Sequence, residues 1–154
     1  GMRIIGLTRS PEKLPTHVQA VSKSELFRTA DVLILSCPLN DQTRGMVDQA
    51  ALALMKPSAI LINVARGPVV DTAALIAALK EGRIAGAALD VHDQQPLSGQ
   101  EPSFDCPNLL LTPHVAAITD SSMRAMSRGS AETLRAILRG ERPTNICNPE
   151  IFSS

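Results

Sequence analysis

Three stretches of the chain end in side chains whose chemistries complement one another. "ILINVARGPVVD" runs from an apolar segment into Arg66, "GAALDVHDQQPL" into Asp90 followed by His92, Asp93 and Gln95, and "LLLTPHVAAITD" into His114. A guanidinium grips a carboxylate through two parallel hydrogen bonds. A carboxylate accepts from an amide, and an imidazole gains and loses a proton near neutrality. Singly, each has a plain reading: Arg66 a surface arginine with Gly67 and Pro68 making the turn, Asp90 a loop cap, His114 a packed or hydrogen-bonded histidine. Together they supply a carboxylate binder, an amide acceptor and a proton carrier, a combination far more specific than its parts.

The surrounding pattern says how they are brought together. Short runs of β-branched and aliphatic residues predict strands at 3–7, 18–21, 32–36, 59–63, 85–89 and 109–111. Between them, Ser22 and Glu25 predict a capping box for a helix to about Thr29, and Asp48 a cap for one ending near Met55, before Lys56 and Pro57. Asp71 or Thr72 starts another that buries Ala74, Leu75, Ala78 and Leu79 and stops at Gly82. Strands apolar on both faces alternating with helices predict a parallel sheet covered by helices on each side. In such sheets ligands bind beyond the carboxyl ends of the strands, where Arg66, Asp90 and His114 would share one rim. The last third differs. A polar, proline-containing loop at 92–107 precedes a long helix at 120–139, with Met123, Met126, Leu134 and Ile137 as its apolar stripe, and then an irregular tail.

Composition narrows the classes. Fifteen Lys and Arg residues balance fifteen acids over 154 residues without a run of either sign, so no nucleic-acid or membrane partner is indicated. Cys37, Cys106 and Cys147 are odd in number and lack a CxxC pair, which argues against a disulfide framework or a metal site and for a reducing cytoplasm. No apolar stretch has the length of a bilayer span.

The segment "ADVLILSCPLNDQTRGMVDQAALALMKPSAILINVARGPVVDTAALIAALKEGRIAGAALDV", followed by "PNLLLTPHVAA", closely resembles the cofactor domain of the D-isomer-specific 2-hydroxyacid dehydrogenases, the group of phosphoglycerate dehydrogenase and hydroxypyruvate and glyoxylate reductases. The resemblance covers nearly the whole chain. It implies a Rossmann-like parallel sheet with helices on both faces, a partial dinucleotide-binding domain over 1–154 with 119–154 as C-terminal helix and tail, and hydride transfer between NAD or NADP and a D-2-hydroxy or 2-keto acid. It further implies that Arg66 holds the substrate carboxylate, that Asp90 holds the nicotinamide carboxamide, and that His114 exchanges a proton with the C2 oxygen. Cys37, Pro38 and Ala65 join Thr8, Arg9 and Asp90 as expected cofactor contacts, and a homodimer is the expected assembly.

Three departures from the family pattern bear on mechanism. The nine glycines include no Gly-x-Gly, so the opening strand resembles the second of the fold. The fold would then lack its first strand and glycine-rich turn, which are expected about 20 residues upstream of Thr8. Whether a cropped piece or a shortened reading frame, the chain alone is expected to be inactive. Where NAD-specific members carry an acid, Thr8 and Arg9 leave room for a 2′-phosphate with Arg9 as counter-ion, which slightly favours NADP; alternatively they are a strand-end threonine and a surface arginine. The acid that usually partners the histidine is Gln95, which orients an imidazole without an anion's help in holding its proton, unless Asp93 supplies that anion. Two other readings stand beside the oxidoreductase fragment: a non-catalytic dimerisation or interaction module, and a formate-dehydrogenase-like enzyme, which needs no proton transfer at its substrate and resembles this chain in its glutamine.

Overall fold

The computed structural model describes residues 1–152. They fall into two compact units, Gly1–His114 and a second beginning at Val115. The first contains β1 (Ile4–Gly6), β2 (Val18–Ala20), α1 (Lys23–Thr29), β3 (Val32–Leu35), α2 (Gln49–Leu54), β4 (Ile60–Asn63), α3 (Thr72–Lys80), β5 (Gly86–Leu89) and β6 (Leu109–Leu111). The second holds α4 (Asp120–Leu138) and a short 3₁₀ turn, Pro149–Phe152.

Each helix of the first unit starts where a short polar side chain satisfies an orphan amide. Ser22 accepts from the Glu25 N–H at 3.2 Å, Asp48 from Ala51 at 2.8 Å and Asp71 from Ala74 at 3.0 Å, each contact contributing about 1 kcal/mol. Of the box expected at Ser22 and Glu25, the Ser22 half is made, whereas the reciprocal box is at Thr119 and Ser122, opening α4. Helix α3 ends at Gly82, whose φ of +65° is the left-handed conformation that an L side chain resists.

All strand pairs are parallel. β1 pairs with β2, and a separate four-stranded sheet runs β3-β4-β5-β6. On β3 and β4, Leu33, Leu35, Leu61 and Asn63 point inward. The three leucines join one core cluster with Phe27 of α1, Ala51 and Leu52 of α2, and Leu75, Ala78 and Leu79 of α3. Ala74 is only half-buried, because it sits at the margin of that stripe. Burying each leucine of this cluster stabilises the unit by about 1.5–3 kcal/mol.

The Rossmann-like parallel sheet with helices is as expected, and two apolar faces among the described residues are open. The alternate residues of the strands are exposed: Ile34 at 58% and Leu110 at 62%, with Val32 and Ile60 beside them, because the buried faces of α1, α2 and α3 all join a single cluster. In α4 the stripe of Met123, Met126, Leu134 and Ile137 has the expected helical spacing, yet no residue of this helix is buried. Periodicity predicted the amphipathic helix but not a partner for its apolar face. No helix among the described residues is long and apolar enough to cross a membrane.

Candidate active site

Strand register places the expected residues. Leu35 is level with Asn63, Asn63 with Leu89, and Leu89 with Leu111, so β3 to β6 end together. Val64 N–H donates to the Leu35 carbonyl at 3.2 Å, Asp90 N–H to Asn63 at 3.0 Å and Thr112 N–H to Leu89 at 3.0 Å, which carries the ladder one residue further. Cys37, Arg66, Asp90 and His114 therefore follow four adjacent strand ends on one edge, the ligand-binding edge of a parallel sheet.

The Arg66 loop is shaped from below by Asn63, which is 1% exposed. Its side chain accepts from the Ala65 N–H at 3.0 Å and donates to the Arg66 carbonyl at 3.0 Å, satisfying two backbone groups that leave the sheet. Arg66 itself is exposed. Its Nη1 donates to the Ala65 carbonyl at 2.6 Å, and neither described ion pair, Lys56–Asp31 or Arg83–Glu81, involves it. A guanidinium so placed has donors left for an incoming carboxylate.

Asp90 is buried, and one of its carboxyl oxygens accepts from the Thr112 hydroxyl at 2.5 Å. Two residues beyond Thr112, His114 is exposed with a φ of +59°, sparsely populated for a residue with a Cβ. Its Nδ1 lies 3.3 Å from Gln95 Oε1. An amide oxygen only accepts, so Nδ1 carries the proton and Nε2 is the nitrogen left for chemistry. The structure thus pairs the histidine with Gln95, while Asp93 is exposed beside it in sequence.

Of the remaining expected residues, Ala65 is buried, Cys37 half-buried, and the Pro38 carbonyl accepts from the Thr43 hydroxyl at 2.7 Å. Thr8 and Arg9 follow β1, in the two-stranded sheet that is not hydrogen-bonded to β3. Thr8 Oγ1 accepts from the Ser10 N–H at 3.1 Å, and Arg9 is exposed and outside the two described ion pairs. Among the described residues no cluster of His, Cys, Asp and Glu is arranged to hold a metal ion. Sequence reasoning missed Asn63 and Thr112 as supports of this edge. The available signal was a polar residue ending, or directly following, an otherwise apolar run.

Comparison with known proteins shows the family and the fold. Residues 1–116 match the family model described as D-isomer specific 2-hydroxyacid dehydrogenase, NAD binding domain. The glyoxylate reductase of Aeropyrum pernix is 41% identical over 154 residues, covering 98% of this chain and 46% of the relative. The TT0316 protein of Thermus thermophilus superposes with a TM-score of 0.86 at 39% identity, over 94% of this chain and 46% of that one. A D-isomer specific 2-hydroxyacid dehydrogenase from Xanthobacter autotrophicus Py2 in complex with NADPH and MES gives 0.80 at 36% identity, over 98% and 63%. The chain spans about half the length of the curated relatives it matches.

Proposed function

Because the chain belongs to the D-isomer-specific 2-hydroxyacid dehydrogenases, through their NAD-binding domain, we propose that it forms the cofactor half of an enzyme that moves a hydride between a nicotinamide and a small 2-keto or D-2-hydroxy acid. The observation supporting this reading is the common level of the strand ends, from which Arg66 and His114 leave on one edge.

The residues fit the nicotinamide end of such a cofactor. Buried Ala65 and half-buried Cys37 offer a close apolar surface, and the Asp90 carboxylate offers an acceptor for an amide. Thr8 and exposed Arg9, with no carboxylate at the end of β1, suit the ribose end of NADPH. A pyrophosphate contact is not assigned to this chain, whose glycines form no Gly-x-Gly. When bound, a nicotinamide gives or takes the hydride. Arg66 orients the substrate through its carboxylate. In the reducing direction, a proton on His114 Nε2 moves to the C2 oxygen as negative charge develops there, an assistance typically worth about 10²- to 10⁴-fold. In the oxidising direction the same nitrogen takes it back.

The test is a chimera in which this chain replaces the corresponding part of the Aeropyrum pernix glyoxylate reductase, with oxidation of NADPH and NADH followed on glyoxylate and hydroxypyruvate. Keto-acid turnover that falls at least about 10²-fold in His114→Ala supports the reading. In Arg9→Glu the preference for NADPH should drop by about 10-fold or more, the worth of a charge-assisted hydrogen bond. A folded chimera without keto-acid turnover refutes the assignment. Formate oxidation in its place would support the formate-dehydrogenase-like reading, which the Gln95 contact with His114 favours. The homodimer and the cytoplasmic setting belong to the same proposal. Exposed Ile34, Met126 and Leu138 support the first and free Cys37, Cys106 and Cys147 the second.

A further inference from the structure

Three loops leave the active edge, and the fold must hold them in fixed relation if Arg66 and His114 are to meet one small substrate. The 90–95 loop lies between the other two. On one side, a Cβ added at Gly67 would stand 2.2 Å from the His92 carbonyl carbon, 2.3 Å from its oxygen and 2.4 Å from the Asp93 nitrogen. The backbone that carries Arg66 therefore rests directly on the backbone of His92. On the other side, His92 Nε2 lies 3.1 Å from the Thr112 carbonyl oxygen. That oxygen only accepts, so His92 carries its proton on Nε2.

The Thr112 carbonyl belongs to the Thr112–Pro113 peptide. A peptide group is planar and the proline ring fixes its own φ. Holding that one oxygen therefore fixes the plane from which His114 hangs, with little freedom left except the Pro113 ψ. Left-handed φ at a non-glycine residue persists only where its surroundings over-determine it. The His92–Thr112 and Thr112–Asp90 bonds restrain the chain two residues before His114, and the Gln95–His114 bond restrains its ring.

We propose that His92 is a positioning residue: its backbone sets the Arg66 loop through Gly67, its ring sets the His114 loop through Thr112, and so a single residue fixes the distance between substrate clamp and proton carrier. The proposal rests on the hydride-transfer reading for its catalytic consequence but not for its structural content. The histidines are His17, His92 and His114, so imidazole signals of the whole chain are assigned by three substitutions. Two variants separate bulk from hydrogen bonding. His92→Phe keeps a ring without a donor, and His92→Gln keeps an N–H near the position of Nε2.

On the 154-residue chain, ¹⁵N imidazole NMR should find His92 as the Nε2–H tautomer. His92→Phe should shift the resonances of both His114 and Gly67, and His92→Gln should return them. A His92 with its proton on Nδ1, or a His92→Phe chain with unmoved His114 signals, overturns the proposal whatever the enzyme does. In the chimera, His92→Phe should lower kcat by about 10- to 100-fold, the cost of misplacement on the order of 1 Å, with KM changed several-fold less and with recovery in His92→Gln. Parent-like kcat in His92→Phe overturns the proposal even if the NMR changes appear. The NMR changes in a chimera that turns over no substrate in any form refute the hydride-transfer reading and leave the structural linkage standing.

Discussion

Adding one methyl group at Gly67 is the sharpest test of how the active edge is built. Gly67 is buried, and its backbone is not in the left-handed region, so glycine is required here for proximity and not for conformation. An alanine Cβ would meet three backbone atoms of His92 and Asp93 between 2.2 and 2.4 Å, whereas ordinary contact begins at 3.4 Å. Backbone cannot swing aside as the tip of a side chain can, so one loop must retreat by roughly 1 Å. Overpacking of this kind costs about 1–3 kcal/mol, and the absence of any soft atom at the contact puts Gly67→Ala at the upper end. The same displacement separates Arg66 from His114 and should reduce turnover in the chimera by up to about 10²-fold. The chain has neither Trp nor Tyr, so the assay is urea denaturation followed by far-UV circular dichroism, with amide NMR to locate the change. A stability within about 0.5 kcal/mol of the parent, together with unmoved His92 and Asp93 amides, would mean that the two loops are not in contact and would remove the basis for His92 as a link.

Gly129 supplies the opposite case: a Cβ there meets nothing within 4 Å inside helix α4, so Gly129→Ala should stabilise that helix by about 0.5–1 kcal/mol, read as slower amide exchange along α4, and faster exchange would contradict it. Burial pushes the Cys106 thiol up from its ordinary value of 9.0, with Lys80 pulling the other way. A disulfide reagent at neutral pH should therefore modify exposed Cys147 first and Cys106 last. Because the unfolded thiol ionises before the folded one, the group costs nothing below about pH 8 and erodes stability as pH rises past the unfolded value. Tm should fall between about pH 8 and 10 less steeply in Cys106→Ala than in the parent, and equal slopes would refute the linkage. In the chimera, Gln95→Glu should move the alkaline limb of kcat/KM for keto-acid reduction to higher pH, since a carboxylate beside Nδ1 favours the imidazolium; an unchanged limb would mean that this contact does not govern proton donation.

Much of this architecture was legible in residue patterns. The six strands appear within a residue or two of their apolar runs, and Ser22, Asp48 and Asp71 cap the helices that they were expected to start. Local chemistry decides such features: a β-branched run or a side-chain oxygen before a helix acts within a few residues. The placement of Arg66, Asp90 and His114 on one edge was legible for the same reason, because parallel strands of known ends place their following residues together. What stayed hidden depends on a second segment. The Gly67 contact with His92, the Thr112 bond to Asp90, and the bare face left by Ile34 and Leu110 each involve chain segments far apart in sequence or the absence of a covering layer. Neither periodicity nor propensity encodes them. Gln95 was recognisable as a departure, but its choice over Asp93 required coordinates.

That choice has a chemical consequence. The Gln95 oxygen accepts from Nδ1–H whether or not Nε2 also carries a proton, so the contact aims the ring in both protonation states. A carboxylate in the same place would combine two effects, aiming the ring and stabilising its charge, and so would prepare the site for donating a proton to a keto acid. With the amide these effects separate. Orientation comes from Gln95 and from the restraints that reach His114 through Thr112, without a fixed negative charge beside the ring. For the hydride transfer proposed above, an orientation that does not depend on charge would serve proton donation in reduction and proton acceptance in oxidation alike.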